Sequence, residues 1–208
     1  MPANPQPMPG PIAGIAVPRD DVSRATWTWA VRALPDYLLA HSVRSYCWGA
    51  AIAGAQGWSF DRRVLWLAAL WHDYALTRIP RNTMCFEIEG AELARGFLRR
   101  AGLSAVDVDR VAIAIILHMQ PSVTRADGVE SVLLDQATAI DVRGDGYEQI
   151  EAIQEGVVRA FPRRNFDRHF LAAIRRETAI RLDCQSERLL ITNDLAGWMA
   201  RSPWAAAT

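Results

Sequence analysis

Cysteine is scarce in this sequence. The three present, Cys47, Cys85 and Cys184, are odd in number, far apart and without a CxxC pair. That argues against a disulfide framework and against a cysteine zinc site. Long hydrophobic runs are missing too. No apolar stretch reaches the ~18–20 residues a membrane span needs, and no basic-then-apolar leader opens the chain, so no signal peptide is expected. An excess of charge of either sign is also absent. The 23 basic and 23 acidic residues cancel, which gives no general pull toward nucleic acid or an anionic membrane. Nor is there an alternating polar–apolar segment bounded by hairpin turns, which removes sheet-based folds. The expectation is a cytoplasmic protein acting on a small-molecule substrate, with neither nucleic acid nor membrane as partner.

What is present is globular in character. Half of the 208 residues are hydrophobic and 22% are charged, enough for one domain with a sizeable core. Residues 1–20 are rich in proline and glycine. They cannot form a helix, and they predict an extended arm packed on the body or on a neighbouring subunit, which leaves a homo-oligomer open. From residue 21 the pattern is helical. One helix opens at Pro35-Asp36 and closes at Gly57, and a second follows Ser59, a candidate N-cap, as far as Thr77. Further helices end at Gly102, start at Ser104 and stop before Pro121, and run up to Gly144. Three more fit 146–161, 165–185 and 186–199. The expected fold is all-α, a single helical bundle over 21–208 behind an extended Pro-rich arm. The eight tryptophans are expected as core and interface filler, Trp66 and Trp71 included.

Within that frame one stretch stands out: "LAALWHDYALT", residues 67–77. A histidine and an aspartate sit side by side in a segment that otherwise reads as core. A lone buried histidine usually just finds a hydrogen-bond partner, so the doublet must be weighed with the rest of the chain. His41 lies early in the preceding helix. Asp141, in "LLDQATAIDVRG", follows the apolar Ala137, Ala139 and Ile140, where a carboxylate is costly to bury without a positive partner. Two imidazoles and two carboxylates from separate helices suit a first-row divalent ion with positions left for water. Successive helical residues point about 100° apart, so His72 and Asp73 can share an ion only near the end of their helix.

A His, a His-Asp doublet some thirty residues on and a distant Asp, all in helical context, resemble the HD-domain superfamily of metal-dependent hydrolases over roughly residues 35–145. The neighbourhoods "HSVRSYCWG", "LAALWHDYALT", "FEIEGAELA", "ILHMQP" and "AIDVRG", in that order, are similar to its cyanamide hydratase-type branch. The resemblance implies a helical HD fold and one divalent ion per chain, zinc or else iron, held by His41, His72, Asp73 and Asp141. It also implies addition of water to a small nitrile such as cyanamide, giving urea. Carried over residue by residue, it makes His118, Glu87, Glu89 and Asp73 the catalytic candidates. Arg44 and Thr77 become substrate-binding candidates, Arg44 also being placed one turn after His41 to hold a ligand carboxylate. Two positions depart from the pattern. Met119-Gln120 follow His118 where a small polar residue is expected, and Tyr74 to Thr77 follow the doublet where a glycine is common. Both bear on the substrate rather than on the metal.

Other readings stay open at this point. A phosphohydrolase would use the same ion with cationic groups for phosphate, for which Arg44, Arg78 and Arg81 are near enough in sequence. A two-iron oxygenase would need two further histidines between the doublet and Asp141, and only His118 lies there. A non-enzymatic scaffold would need no position open to water. Cys47 and Cys85 lie near the motifs but have no base partner for nucleophilic work.

Overall fold

The structure, a computed structural model, describes residues 6–80 and 83–204. It is built from helices. Among the described residues the only β-type pairing is an isolated bridge between Ile12 and Ile15. Ten α-helical segments follow one another among the described residues: α1 Asp21–Ala33, α2 Asp36–Gln56, α3 Arg62–Trp71, α4 Phe86–Arg100, α5 Ala105–Leu117, α6 Val129–Arg143, α7 Glu151–Ala160, α8 Phe166–Thr178, the single turn α9 Gln185–Glu187 and α10 Leu195–Arg201. No described helix is long and apolar enough to cross a membrane.

Local chemistry fixes the ends. Asp20 caps α1 by accepting from the Ser23 amide, Asp61 caps α3 through the Arg63 and Val64 amides, and Ser104 caps α5. Each side chain satisfies donors the helix leaves without an internal partner. Gly57 ends α2 in the left-handed region, as a helix C-terminus commonly requires. Several boundaries differ from the sequence expectation. The cap of α3 is Asp61 rather than Ser59, and α3 stops at Trp71, after which Tyr74–Thr77 form a separate 3₁₀ turn. The segment expected as one helix over 165–185 ends at Thr178, and the last expected helix breaks into α9, a π-helical turn at Arg188–Thr192 and α10.

The core forms around α2, whose side chains are buried almost without interruption from Leu38 to Ala53. It packs against α3, α6 and α8, with α4 and α5 layered outside α3. Trp48 and Trp66 are fully buried, and Trp71 stacks on Trp29 with ring centroids 3.6 Å apart. Each such side chain contributes roughly 1.5–3 kcal/mol or more by leaving water. The described part of the Pro-rich segment, residues 6–20, packs on the body. Ile12 and Val17 join the core, Tyr46 donates to the Ala16 carbonyl and Trp27 to that of Gln6. Residues 1–5 of the expected arm lie outside the described residues.

Every basic side chain is an arginine; the chain has no lysine. Arg44, Arg163 and Arg181 are fully buried, a role for which the planar guanidinium fork is suited. The cysteine expectation is corrected. Cys85 and Cys184, 99 residues apart, form a disulfide, and only Cys47 is free. Sequence distance hid the pair because it is the packing of α8 and α9 near the start of α4 that brings the two together.

Candidate metal centre

The His-Asp doublet falls where the geometry demands. His72 is the C-cap of α3, and Asp73 leaves the helix with φ −104° and ψ 4°. The break turns both side chains toward one point. His41, on the facing side of α2, meets them there. Its Nε2 lies 3.1 Å from His72 Nε2 and 3.5 Å from Asp73 Oδ2, and His72 Nε2 is 3.3 Å from the same oxygen. His118, the C-cap of α5, brings its Nε2 to 3.7 Å from Asp73 Oδ1. All four side chains are almost wholly buried.

The partners of the outer ring nitrogens fix how the rings meet this point. His72 Nδ1 lies 2.8 Å from the Ala69 carbonyl and His118 Nδ1 lies 2.6 Å from that of Ile115. A carbonyl only accepts, so both Nδ1 atoms carry hydrogen in the neutral rings. His41 Nδ1 lies 2.7 Å from Asp141 Oδ2, with the same consequence. Each imidazole therefore presents a bare Nε2 lone pair to the centre, beside a carboxylate. Asp73 Oδ2 is buried without a hydrogen-bond partner. Lone pairs facing lone pairs repel unless a cation lies between them. His41, His72 and Asp73 bring their donor atoms within 4.8 Å of one another, and this mixed N/O set fits a divalent metal.

Asp141 lies behind this cluster, not in it. Its Oδ2 receives His41 Nδ1 and Arg44 Nη2, and its Oδ1 receives Arg44 Nε and Trp48 Nε1, all at 2.7–2.8 Å. Four donors approach its two oxygens, and it lies outside the group whose donor atoms come within 4.8 Å of one another. This differs from the ligand role that the resemblance implies. Here Asp141 fixes the tautomer and angle of His41, as carboxylates behind metal-binding histidines do. Burial alone would raise its carboxyl, but Arg44 and His41 outweigh burial and hold it well below the usual range. At Asp73 burial is opposed by His72, His118 and His41 when those rings carry a proton toward it, and the net direction is then down.

The cluster forms the floor of a cavity of about 340 Å³. One face of α6 supplies a wall through Asp135, Thr138, Ala139, Val142 and Arg143, at the spacing that puts residues on one side of a helix. The segment after the disulfide supplies another through Gln185, Arg188, Leu189 and Asn193, and Met119 and Gln120 complete the rim next to His118. The two departures noted in the sequence thus separate. Met119-Gln120 line the cavity, whereas Thr77 does not, and its hydroxyl donates to the Tyr74 carbonyl.

Other candidates fall away from the cavity. Arg44 bonds Asp141 and the carbonyls of Phe161 and Pro162; it holds a carboxylate in the protein, is fully buried and does not line the cavity. Glu89 is ion-paired with Arg181 and lies 3.7 Å from Arg78. Glu87 is buried, with Oε2 unpartnered, and burial pushes its carboxyl up despite the nearby His118. Arg81 lies outside the described residues. His169 is exposed on α8. Sequence reasoning missed Asp135 and the wall from 185 to 193. Asp135 carried the same signal as Asp141, an acid set among Leu133, Leu134 and Ala137, whereas nothing local marks the later segment.

Comparison with known proteins adds a family. The family described as "HD domain" matches residues 38–155, which contain all the residues of the cluster. The chain is similar to two proteins of Saccharomyces cerevisiae, cyanamide hydratase DDI2 and cyanamide hydratase DDI3, at 30% identity over 147 residues. That alignment takes in 68% of this chain and 65% of each yeast protein, so the chain spans just under two thirds of their length.

Proposed function

The chain belongs to the HD-domain family, and from that premise we propose that it is a metal-dependent hydratase adding water to a small nitrile of the cyanamide type. The observation that carries the reading is the proton-poor cluster of His41, His72 and Asp73 on the floor of a cavity. Similarity to two cyanamide hydratases supports the choice of substrate class. One ion per chain is part of the reading, and zinc suits the donors best, with iron as the alternative. A bound divalent ion would supply Lewis acidity toward water and nitrile.

The protein's own share is orientation and proton transfer. Asp141 and the Ala69 carbonyl lock His41 and His72 so that both Nε2 atoms stay aimed at one point. In hydration the water oxygen bonds to the nitrile carbon while a C–N π pair moves to nitrogen. The two water protons end on that nitrogen, and cyanamide becomes urea. His118 Nε2 opens on the same cavity and is the group to carry a proton between those atoms. Its Nδ1–H is held by Ile115, so one ring nitrogen stays free to cycle. Glu87, behind His118, would bias that ring rather than touch substrate.

A phosphohydrolase is the second reading, and one observation favours it: Arg143 and Arg188 line the cavity. The arginines first considered for that role do not support it, since Arg44 is buried in the Asp141 pair and Arg78 packs beside Glu89 and Tyr74. Action on a small molecule, without nucleic acid or membrane, belongs to the same proposal. So does a cytoplasmic location, against which the Cys85–Cys184 disulfide weighs, because such bonds are rare there. The test combines elemental analysis of the purified protein, urea release from cyanamide and phosphate release from deoxynucleotides. Phosphate release without urea release would replace the hydratase reading with the phosphohydrolase.

A further inference from the structure

Cyanamide has three heavy atoms. At about 30 Å³ for each water in the liquid, a cavity of about 340 Å³ has room for roughly ten waters, several times what cyanamide would displace. The surplus space is not apolar. Asp135 faces it from α6, six residues before Asp141, which at 1.5 Å per residue puts it about 9 Å along the helix from the carboxylate behind the cluster. The Asp135 carboxylate is partly buried and makes no hydrogen bond or ion pair among the described residues. Thr138, one turn on, gives its hydroxyl to the Asp135 backbone carbonyl and leaves the side chain alone. Arg143 also lines the cavity, but its guanidinium pairs with Asp145 and stacks over Trp198.

A partly buried carboxylate without a donor is costly, and some of the fully buried acids in this fold are given arginines, though Glu87 is not. Asp141 has Arg44, and Glu177 has Arg181. Asp135 has been left facing the cavity, and burial pushes its carboxyl up to about 6 even with His118 and Arg143 pulling it down. The partner it lacks would be supplied by whatever enters the cavity, and an acceptor of this kind selects an N–H donor, best of all a cationic one.

Taking the hydratase reading as its basis, we propose that Asp135 is a substrate-positioning residue that accepts N–H hydrogen bonds from an amino or amidine group while the nitrile carbon lies at the His41–His72–Asp73 cluster. The substrate class is then an N–H-bearing cyanamide larger than cyanamide itself, such as cyanoguanidine. Its hydration balances as cyanamide's does: the water oxygen joins the nitrile carbon, both protons go to the terminal nitrogen, and guanylurea results with no oxidant or reductant.

The test separates binding from turnover. Acetamidinium, acetamide and acetate, matched in shape and unreactive here, are titrated into the metal-loaded protein and into Asp135→Asn by calorimetry. Acetamidinium is expected to bind best, and at least tenfold more weakly to the variant, with Asp135→Glu restoring part of the loss. Binding of acetamidinium that does not change in Asp135→Asn, or a preference for acetate, overturns the proposal. In parallel, kcat/KM for cyanoguanidine should exceed that for cyanamide, and Asp135→Asn should reverse the order mainly through KM. A wild type that prefers cyanamide, with an order unchanged in the variant, also overturns it. Asp135-dependent amidinium binding in a protein that hydrates neither compound keeps the subsite and removes the hydratase reading instead.

Discussion

His72 and His118 present the same ring atom to the same space, yet their removal should read out differently. His72→Ala and Asp73→Ala each take a donor from the cluster, and each should strip the metal and the activity while helical content stays near wild type. Full metal occupancy in either variant would defeat the assignment. His118→Ala should keep the ion and lose on the order of 10²–10⁴ in rate, the usual range for a general acid or base; loss of the ion would make His118 a ligand instead. Arg44 is a structural matter. It holds a fully buried carboxylate through two hydrogen bonds, and breaking such a pair from one side costs about 3–5 kcal/mol. Arg44→Gln should therefore lower the thermal midpoint before it says anything about substrate. Asp135 gives a pH signature. Its folded value of about 6 lies above the ordinary 3.8, so its protonation favours the folded state. That contribution is complete below pH 4 and lost as pH rises through 6. Asp135→Asn should flatten the fall in stability over that window, as followed by melting curves from pH 4 to 7. At this scale the doublet was legible because a charged pair inside an apolar run has few bland explanations. The place of Asp141 behind His41 was not, because a sequence shows that an acid needs a partner but not how many donors reach it.

The elements divide the labour of the site. Rigid helices supply the donors: α2 gives His41, α3 ends in the doublet, and α5 ends in His118. The wall opposite comes from short, broken segments after Cys184, including the π-helical turn at Arg188–Thr192, a form often met at functional positions. Helical periodicity and caps made most of the long helices readable. They failed where tertiary packing decides, as at the stop after Trp71 and in the fragmentation beyond Thr178. The end of α6 shows how a single backbone position governs such a junction. Gly144 has φ +81°, and a Cβ there would come within 2.2 Å of Pro203 Cδ. The same approach lets Trp204 donate to the Ile140 carbonyl. Gly144→Ala should cost more than the roughly 1 kcal/mol of an ordinary glycine replacement and expose Trp204, visible as a red shift in tryptophan emission.

For the molecule as a whole, the all-α fold class followed from the absence of strand patterns and the run of amphipathic segments, whereas the covalent link between Cys85 and Cys184 was invisible at a separation of 99 residues. Cross-links over loops of this size contribute typically about 2–4 kcal/mol. Cys184→Ser should lower stability by that order in urea melts. The donors His41, His72 and Asp73 all precede Cys85, so metal content should hold while KM rises with the loosened wall. The bond also changes what a cut can do. Between Cys85 and Cys184 the polypeptide is a closed ring carrying α4 to α8, with the donor helices α2 and α3 as a tail on one side and α10 on the other. Arg125 is exposed between α5 and α6, and trypsin, with no lysine to compete, has an opening there. A nick at that point severs the backbone and releases nothing: one band without reductant, two with it.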